Sequence, residues 1–258
     1  MKINSFPLSE EAKYAAAESI SMSLLELKKK DVPVLFLFSG GSALSVLDMI
    51  DFSCLGEHLT LAPVDERFDP TGEASNFSAF MATSFYGKAE VAGARFIDTR
   101  VKEGQGMGDL ANGFETTLRK WMADFVTPTE SSYLVIPSVV EESCPHPHGK
   151  IIAILGMGPD GHTAGIFPSD DAQEFHDRFE GDRLVVGYRA PEYAICPERI
   201  TATLSFLEKN VDQAFVFLSG EEKRAAWERV LQNDEPIHLL PAGIFHSLQG
   251  VELFTDLG

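Results

Sequence analysis

Val34-Leu35-Phe36-Leu37-Phe38-Ser39-Gly40-Gly41-Ser42 joins an unbroken apolar run to a glycine turn. Such a run is strand-sized, and the lack of any polar alternate is the pattern of a strand covered on both faces. Beyond Ser42 the chain is amphipathic as far as Ile50. A doubly covered strand that turns straight into a helix is the start of a strand-turn-helix unit, and the same signature recurs along the chain. Residues 59–64, 151–155 and 214–218 are further apolar runs, and 151–155 is the most apolar of all.

Helices are predicted between these runs. The first covers 9–29, with Ser9 as cap, Glu10 and Glu11 at its positive end and Lys28, Lys29 and Lys30 at its negative end. Others are expected over 75–85, 110–125 and 221–231, and further short strands at 95–97, 184–188 and 251–254. Residues 127–149, rich in Pro, Ser and Glu, look like a loop. Strands alternating with helices predict an α/β fold, a mostly parallel sheet with helices on both faces. The 258 residues suffice for one such domain over 1–258.

Composition narrows the function. Twenty-one basic against 39 acidic residues leave a net charge of −18. Such a surface repels nucleic acid and anionic membrane, so neither is an expected partner. It repels a phosphorylated ligand too, unless the few cations are gathered at one place. Cys54, Cys144 and Cys196 have no CxxC spacing and are expected to be reduced thiols. No apolar run reaches membrane length, and Lys2, Pro7, Glu10 and Glu11 leave no leader-like apolar stretch, so the expected location is cytoplasmic.

In parallel α/β sheets ligands bind at the carboxyl ends of strands, and that is where the chemistry-bearing motifs fall. Ser39-Gly40-Gly41-Ser42 can bring backbone N–H groups close to an anion, although any tight strand-to-helix turn uses glycine. Asp65-Glu66-Arg67 follows the second strand. Arg67 offers a two-pronged donor to phosphate, with Asp65 or Glu66 to orient it or to act on a substrate proton, and a surface salt-bridge cluster fits equally well. Gly220-Glu221-Glu222-Lys223 puts a lysine in a first helical turn, against the helix dipole, where an anion would favour it. Arg199, after Pro197, reads as a surface residue or an anion contact.

Gly156-Met157-Gly158-Pro159-Asp160-Gly161-His162 is the richest segment. It contains a literal G-x-G-x-x-G. However, Asp160 would place a carboxylate where a dinucleotide's pyrophosphate belongs, and Pro168 interrupts the required helix. The alternative is acid–base chemistry. His162 can take a proton from water and return it to a leaving group. Asp160 would hold the imidazole tautomer or position water, and N–H groups of the turn would face a developing oxyanion. A structural turn with a hydrogen-bonded histidine also fits. Cys144-Pro145-His146-Pro147-His148 has the composition of a metal cluster but lacks a fourth ligand, and is expected to be a solvated loop with no metal.

SGGSAL (39–44), PVDERFDPTGEASN (63–76), LGMGPDGHTAGIFP (155–168), PERITATLSFL (197–207) and LSGEEK (218–223) together resemble the 6-phosphogluconolactonase family. The resemblance implies a Rossmann-like single domain and hydrolysis of 6-phosphogluconolactone, a small sugar phosphate of the pentose phosphate pathway, with no cofactor. It implies His162 as general base, Asp160 in support, and Arg67, Lys223, Arg199 and the turn of Gly40, Gly41 and Ser42 around the phosphate, beside Asp65. The chain departs from the family pattern at Ala43-Leu44, where Thr-Pro is common, and at Gly149-Lys150, where the strand commonly begins with Asp. The segment after 251–254 also looks short. The related glucosamine-6-phosphate isomerases/deaminases carry a catalytic Glu before the proline, where this chain has Phe167. A non-catalytic sugar-phosphate sensor would be expected to carry a fused DNA-binding domain and a basic face.

Overall fold

The computed structural model describes residues 1–126 and 148–258. Elements follow in chain order: β1 (Lys2–Ser5), α1 (Ser9–Lys29), β2 (Val34–Phe38), α2 (Leu44–Leu47), β3 (Leu59–Pro63), β4 (Asp65–Arg67), α3 (Asn76–Met81), α4 (Ser84–Val91) and β5 (Arg95–Phe96). Then come α5 (Met107–Phe125), β6 (Lys150–Leu155), α6 (Ala172–Phe179), β7 (Val185–Arg189), β8 (Glu198–Ala202), α7 (Leu204–Asn210), β9 (Gln213–Leu218), α8 (Arg224–Gln232) and β10 (Glu252–Thr255).

Seven strands form one parallel sheet in the order β1-β10-β9-β6-β2-β3-β5. Successive side chains of its central strands go to opposite cores. Val34, Phe36 and Phe38 of β2, with Ile152 and Ile154 of β6, pack under α1. Leu35 and Leu37, with Ile151, Ala153 and Leu155, pack in the other layer with Leu110, Phe114 and Leu118 of α5. Period-two alternation against two apolar layers is why these strands show no polar residue in sequence.

Strand order reverses at β2, whose neighbours are β3 on one side and β6 on the other. The turns leaving β2 and β6 therefore diverge and open a crevice at the carboxyl edge, the place where parallel sheets bind ligands.

The expected mostly parallel sheet is present, but three strands lie outside it. β4, β8 and β7 form a separate antiparallel sheet, so 184–188 is not a strand of the main sheet. β1, β8, α6 and α7 are elements the hydropathy pattern does not announce. Residues 75–85 are not one helix: Thr83 is extended and its side chain caps Tyr86 N, ending one helix and starting the next. Ser9 does not cap α1; its Oγ lies 2.5 Å from Ser219 Oγ. Among the described residues no helix is long and apolar enough to cross a membrane. Cys144, His146 and most of the 127–149 loop lie outside the described residues.

Candidate active site

Nine of the residues singled out in sequence line one cavity of about 480 Å³: Gly40, Gly41, Ser42, Asp65, Arg67, Asp160, His162, Arg199 and Lys223. The turns after β2, β6 and β9 reach it from the carboxyl edge of the main sheet, and β4 and β8 of the small sheet bring Asp65, Arg67 and Arg199 to the same place.

The β6 turn supplies the titratable pair. Asp160 Oδ1 accepts from the His162 backbone N–H at 3.1 Å and lies 2.6 Å from His162 Nδ1. A carboxylate only accepts, so Nδ1 carries the proton and Nε2 is left with a lone pair in the neutral ring. The close approach depends on Gly158. A Cβ there would overlap His162 Cε1 and Nδ1, so only glycine lets the imidazole lie over the turn. Phe167 stacks on the ring, with centroids 4.3 Å apart at 23°. Burial on its own would raise the Asp160 carboxyl. Hydrogen bonding to His162, its charge and the Tyr193 hydroxyl outweigh that and hold it below the usual carboxylate range.

The expectation that N–H groups of this turn face an oxyanion needs correction at two positions. Gly158 N–H donates to His162 O at 2.9 Å and Gly161 N–H to Gly158 O at 3.1 Å, so both are used in closing the turn.

The small sheet holds the loop that follows. Thr201 Oγ1 donates to Ala164 O at 2.5 Å, and the Tyr188 hydroxyl donates to Gly165 O and accepts from Phe167 N–H. Ala164 sits at φ +51°, a left-handed conformation unusual for alanine and held by this surrounding.

The same sheet carries the two arginines. Arg67 and Arg199 are directly opposite on β4 and β8. Such neighbours point to one face, and like charges there repel. Arg199 is 5% exposed; its guanidinium donates to Ile195 O at 2.6 Å and sits 3.5 Å from Asp65 Oδ2. Arg67 donates to Ala74 O at 3.2 Å. The Nε of each arginine, and Ser39 Oγ, are buried without a partner among the described residues. Lys223 comes from the turn after β9. It is 8% exposed and donates to Ser42 Oγ at 3.1 Å. Burial lowers its ammonium below the usual lysine range, against Glu222 and Asp256, which pull upward. Arg199 and Lys223 are thus cavity residues, not solvated surface ones. Gly41, at φ +64°, opens the short helical turn at Gly41–Ala43 that precedes α2.

Glu66 has a different task from the one open to it in sequence. It is fully buried and accepts from the backbone N–H of Arg67, Asn76 and Phe77 and from Ser75 and Thr99 hydroxyls. It ties β4 to the start of α3 and does not line the cavity. Asn76, Phe167 and Tyr193 do line it. Sequence reasoning left them out of the site, although Asn76 belongs to the quoted SN pair and donates to Asp65 O at 2.9 Å.

The family of glucosamine-6-phosphate isomerases/6-phosphogluconolactonase matches residues 7–253. The chain belongs to this family. Among curated members, a 6-phosphogluconolactonase of Helicobacter pylori is 39% identical over 96 residues, 37% of this chain and 39% of the relative. One of Mesorhizobium japonicum is 31% identical over 170 residues, 64% of this chain and 57% of the relative. The chain thus spans less than two thirds of the length of these relatives. Solved structures share the family fold end to end. A 6-phosphogluconolactonase from Shewanella baltica superposes with TM-score 0.69 at 21% identity, over 99% of this chain and 97% of that one. One from Trypanosoma brucei gives 0.72 at 17% identity, over 99% and 97%.

Proposed function

We propose that the protein hydrolyses 6-phospho-D-glucono-1,5-lactone to 6-phosphogluconate, the lactonase step of the pentose phosphate pathway, acting as one unit over residues 1–258. One observation carries this reading. The His162–Asp160 pair and a cross-strand arginine pair with unpartnered Nε groups open onto a single cavity. A base and a focused anion site in the same cavity suit a phosphorylated ester.

In this reading His162 Nε2 takes a proton from water as the oxygen adds to the lactone carbonyl. The tetrahedral oxyanion then collapses, the C1–ring-oxygen bond breaks, and the imidazolium returns the proton to the departing ring oxygen. The new carboxylic acid loses its own proton to solvent. Asp160 keeps Nδ1 protonated, so Nε2 is always the working nitrogen, and it stabilises the imidazolium formed midway. Arg67, Arg199, Lys223 and the Gly40-Gly41-Ser42 turn take the phosphate, and Asp65 orients Arg199. A δ-lactone opens unaided in water, so general-base help of about 10²–10⁴-fold is enough. A cytoplasmic location fits the reading, supported by the unpaired thiols Cys54 and Cys196.

The test is decay of the lactone, generated in situ, with the protein, with His162→Ala, and with no protein. Decay well above the blank for wild type and near it for the variant supports the assignment. Decay at the blank rate for both overturns it, and glucosamine 6-phosphate becomes the next substrate to try. Against that alternative, the position before Pro168 holds Phe167, stacked on His162, where an isomerase of the family would need a carboxylate.

A further inference from the structure

Tyr193 lies in the connection between β7 and β8 and is 68% exposed, yet its side chain touches two parts of the catalytic turn. Its hydroxyl donates to Asp160 Oδ2 at 3.2 Å. Its ring meets Phe167 edge to face, with centroids 6.0 Å apart at 72°. Asp160 and Phe167 are also the two side chains that hold His162, one along Nδ1 and one against the ring face. The four side chains therefore form a closed ring, in which Tyr193 is the member that does not touch the imidazole.

The connection is built to keep Tyr193 there. Ala190 N–H donates to Pro197 O at 2.8 Å and closes its base; Ala194 N–H donates to Pro191 O at 2.9 Å and forms the turn at its tip. Arg199 donates to Ile195 O at 2.6 Å from within the cavity. An exposed tyrosine on a loose loop would not hold a hydrogen bond against water, whereas one on a loop tied at three points can.

We infer that Tyr193 is a positioning residue for the hydrolysis, fixing Asp160 through Oδ2 so that Oδ1 stays on Nδ1 of His162. The inference rests on the lactonase reading and adds a third member to its acid–base pair. A carboxylate held by one oxygen can rotate; held by both, it keeps its plane and the imidazole keeps its aim. The hydroxyl also draws charge from the carboxylate. Without it, Asp160 becomes more basic and grips the Nδ1 proton harder, so the imidazolium persists to higher pH. The other charged groups around the pair are Arg229 of α8, which acts on Asp160 through space, Arg199, over the Phe167 ring at 5.7 Å, and Asp65 beside Arg199. Tyr193→Phe leaves all of them in place.

The experiment is a double-mutant cycle of Tyr193→Phe and Asp160→Asn, read as kcat, KM and the pH profile of kcat/KM. Alongside it, the His162 ring nitrogens are titrated by NMR in wild type and Tyr193→Phe. Tyr193→Phe should lower kcat about fivefold with KM little changed, the size of one hydrogen bond to a charged group at a partly exposed site. The acidic limb of the profile and the His162 midpoint should both move to higher pH. In the Asp160→Asn background the tyrosine change should add nothing further. A loss confined to KM, a fully additive cycle or an unmoved His162 midpoint overturns the inference. The NMR arm needs no turnover. An inactive wild type with a shifted midpoint would sink the lactonase reading and leave the contact standing, while an active wild type with an unmoved midpoint does the reverse.

Discussion

Replacing Gly158 by alanine should remove His162 from the reaction without touching His162. The backbone at Gly158 is not in the left-handed region, so alanine is allowed there on conformational grounds. The added Cβ, however, would occupy the space of His162 Cε1 and Nδ1 and come within 2.9 Å of Asp160 Oδ1. The imidazole is partly exposed and can swing outward, giving up Nδ1–Asp160 and its stack on Phe167. Losing that hydrogen bond at a half-exposed site costs about 1 kcal/mol, and Gly→Ala recovers about 0.4–1 kcal/mol through the unfolded chain. Stability should therefore be nearly unchanged, with Tm within roughly 3 °C of wild type. Activity should not be. If His162 is the general base, kcat falls by about 10²–10⁴-fold, with KM for the lactone little altered because the arginines stay in place. The assay is the lactone decay described above, with a thermal melt on the same samples. The double variant Gly158→Ala/His162→Ala should be no slower than either single one, since both remove the same group. A Gly158→Ala protein with kcat within about threefold of wild type would refute the placement of the base.

Arg199→Ala and Arg67→Ala should each raise KM far more than they lower kcat, checked by the same kinetics; an unchanged KM in both would move the phosphate elsewhere. Glu66→Ala strips the acceptor from five donors, four of them in buried hydrogen bonds, so a loss of at least about 3 kcal/mol and a Tm drop of roughly 6–12 °C is expected in a melt. Lys223 is held below the ordinary lysine range by burial, so it loses its charge at a lower pH than an exposed lysine. Affinity for 6-phosphogluconate, measured by calorimetry, should fall as pH rises through that range, and Lys223→Arg should flatten the fall because a guanidinium stays charged.

Much of this protein is legible in order along the chain. Runs such as 34–38 and 151–155 announce central strands because burial on both faces removes every polar residue. The glycine turn after 34–38 and the Asp160-Gly161-His162 turn stand out because tight backbone and titratable side chains coincide. From the sequence came the parallel α/β fold and nine candidate residues that the fold gathers around one cavity. The tertiary structure alone decided what those residues do to one another. β4 has only three residues and β8 opens on Glu198-Arg199, so neither reads as a strand from hydropathy, yet their pairing sets Arg67 against Arg199. Glu66, indistinguishable from Asp65 as a neighbouring acid, turns into the protein because strand side chains alternate, and it binds the start of α3 instead of a ligand. Tyr193 reaches Asp160 only because its loop is folded back over the cavity. Local patterns record how each segment is buried; which distant side chains share a hydrogen bond depends on strand pairing and loop closure, and these leave no periodic mark in the sequence.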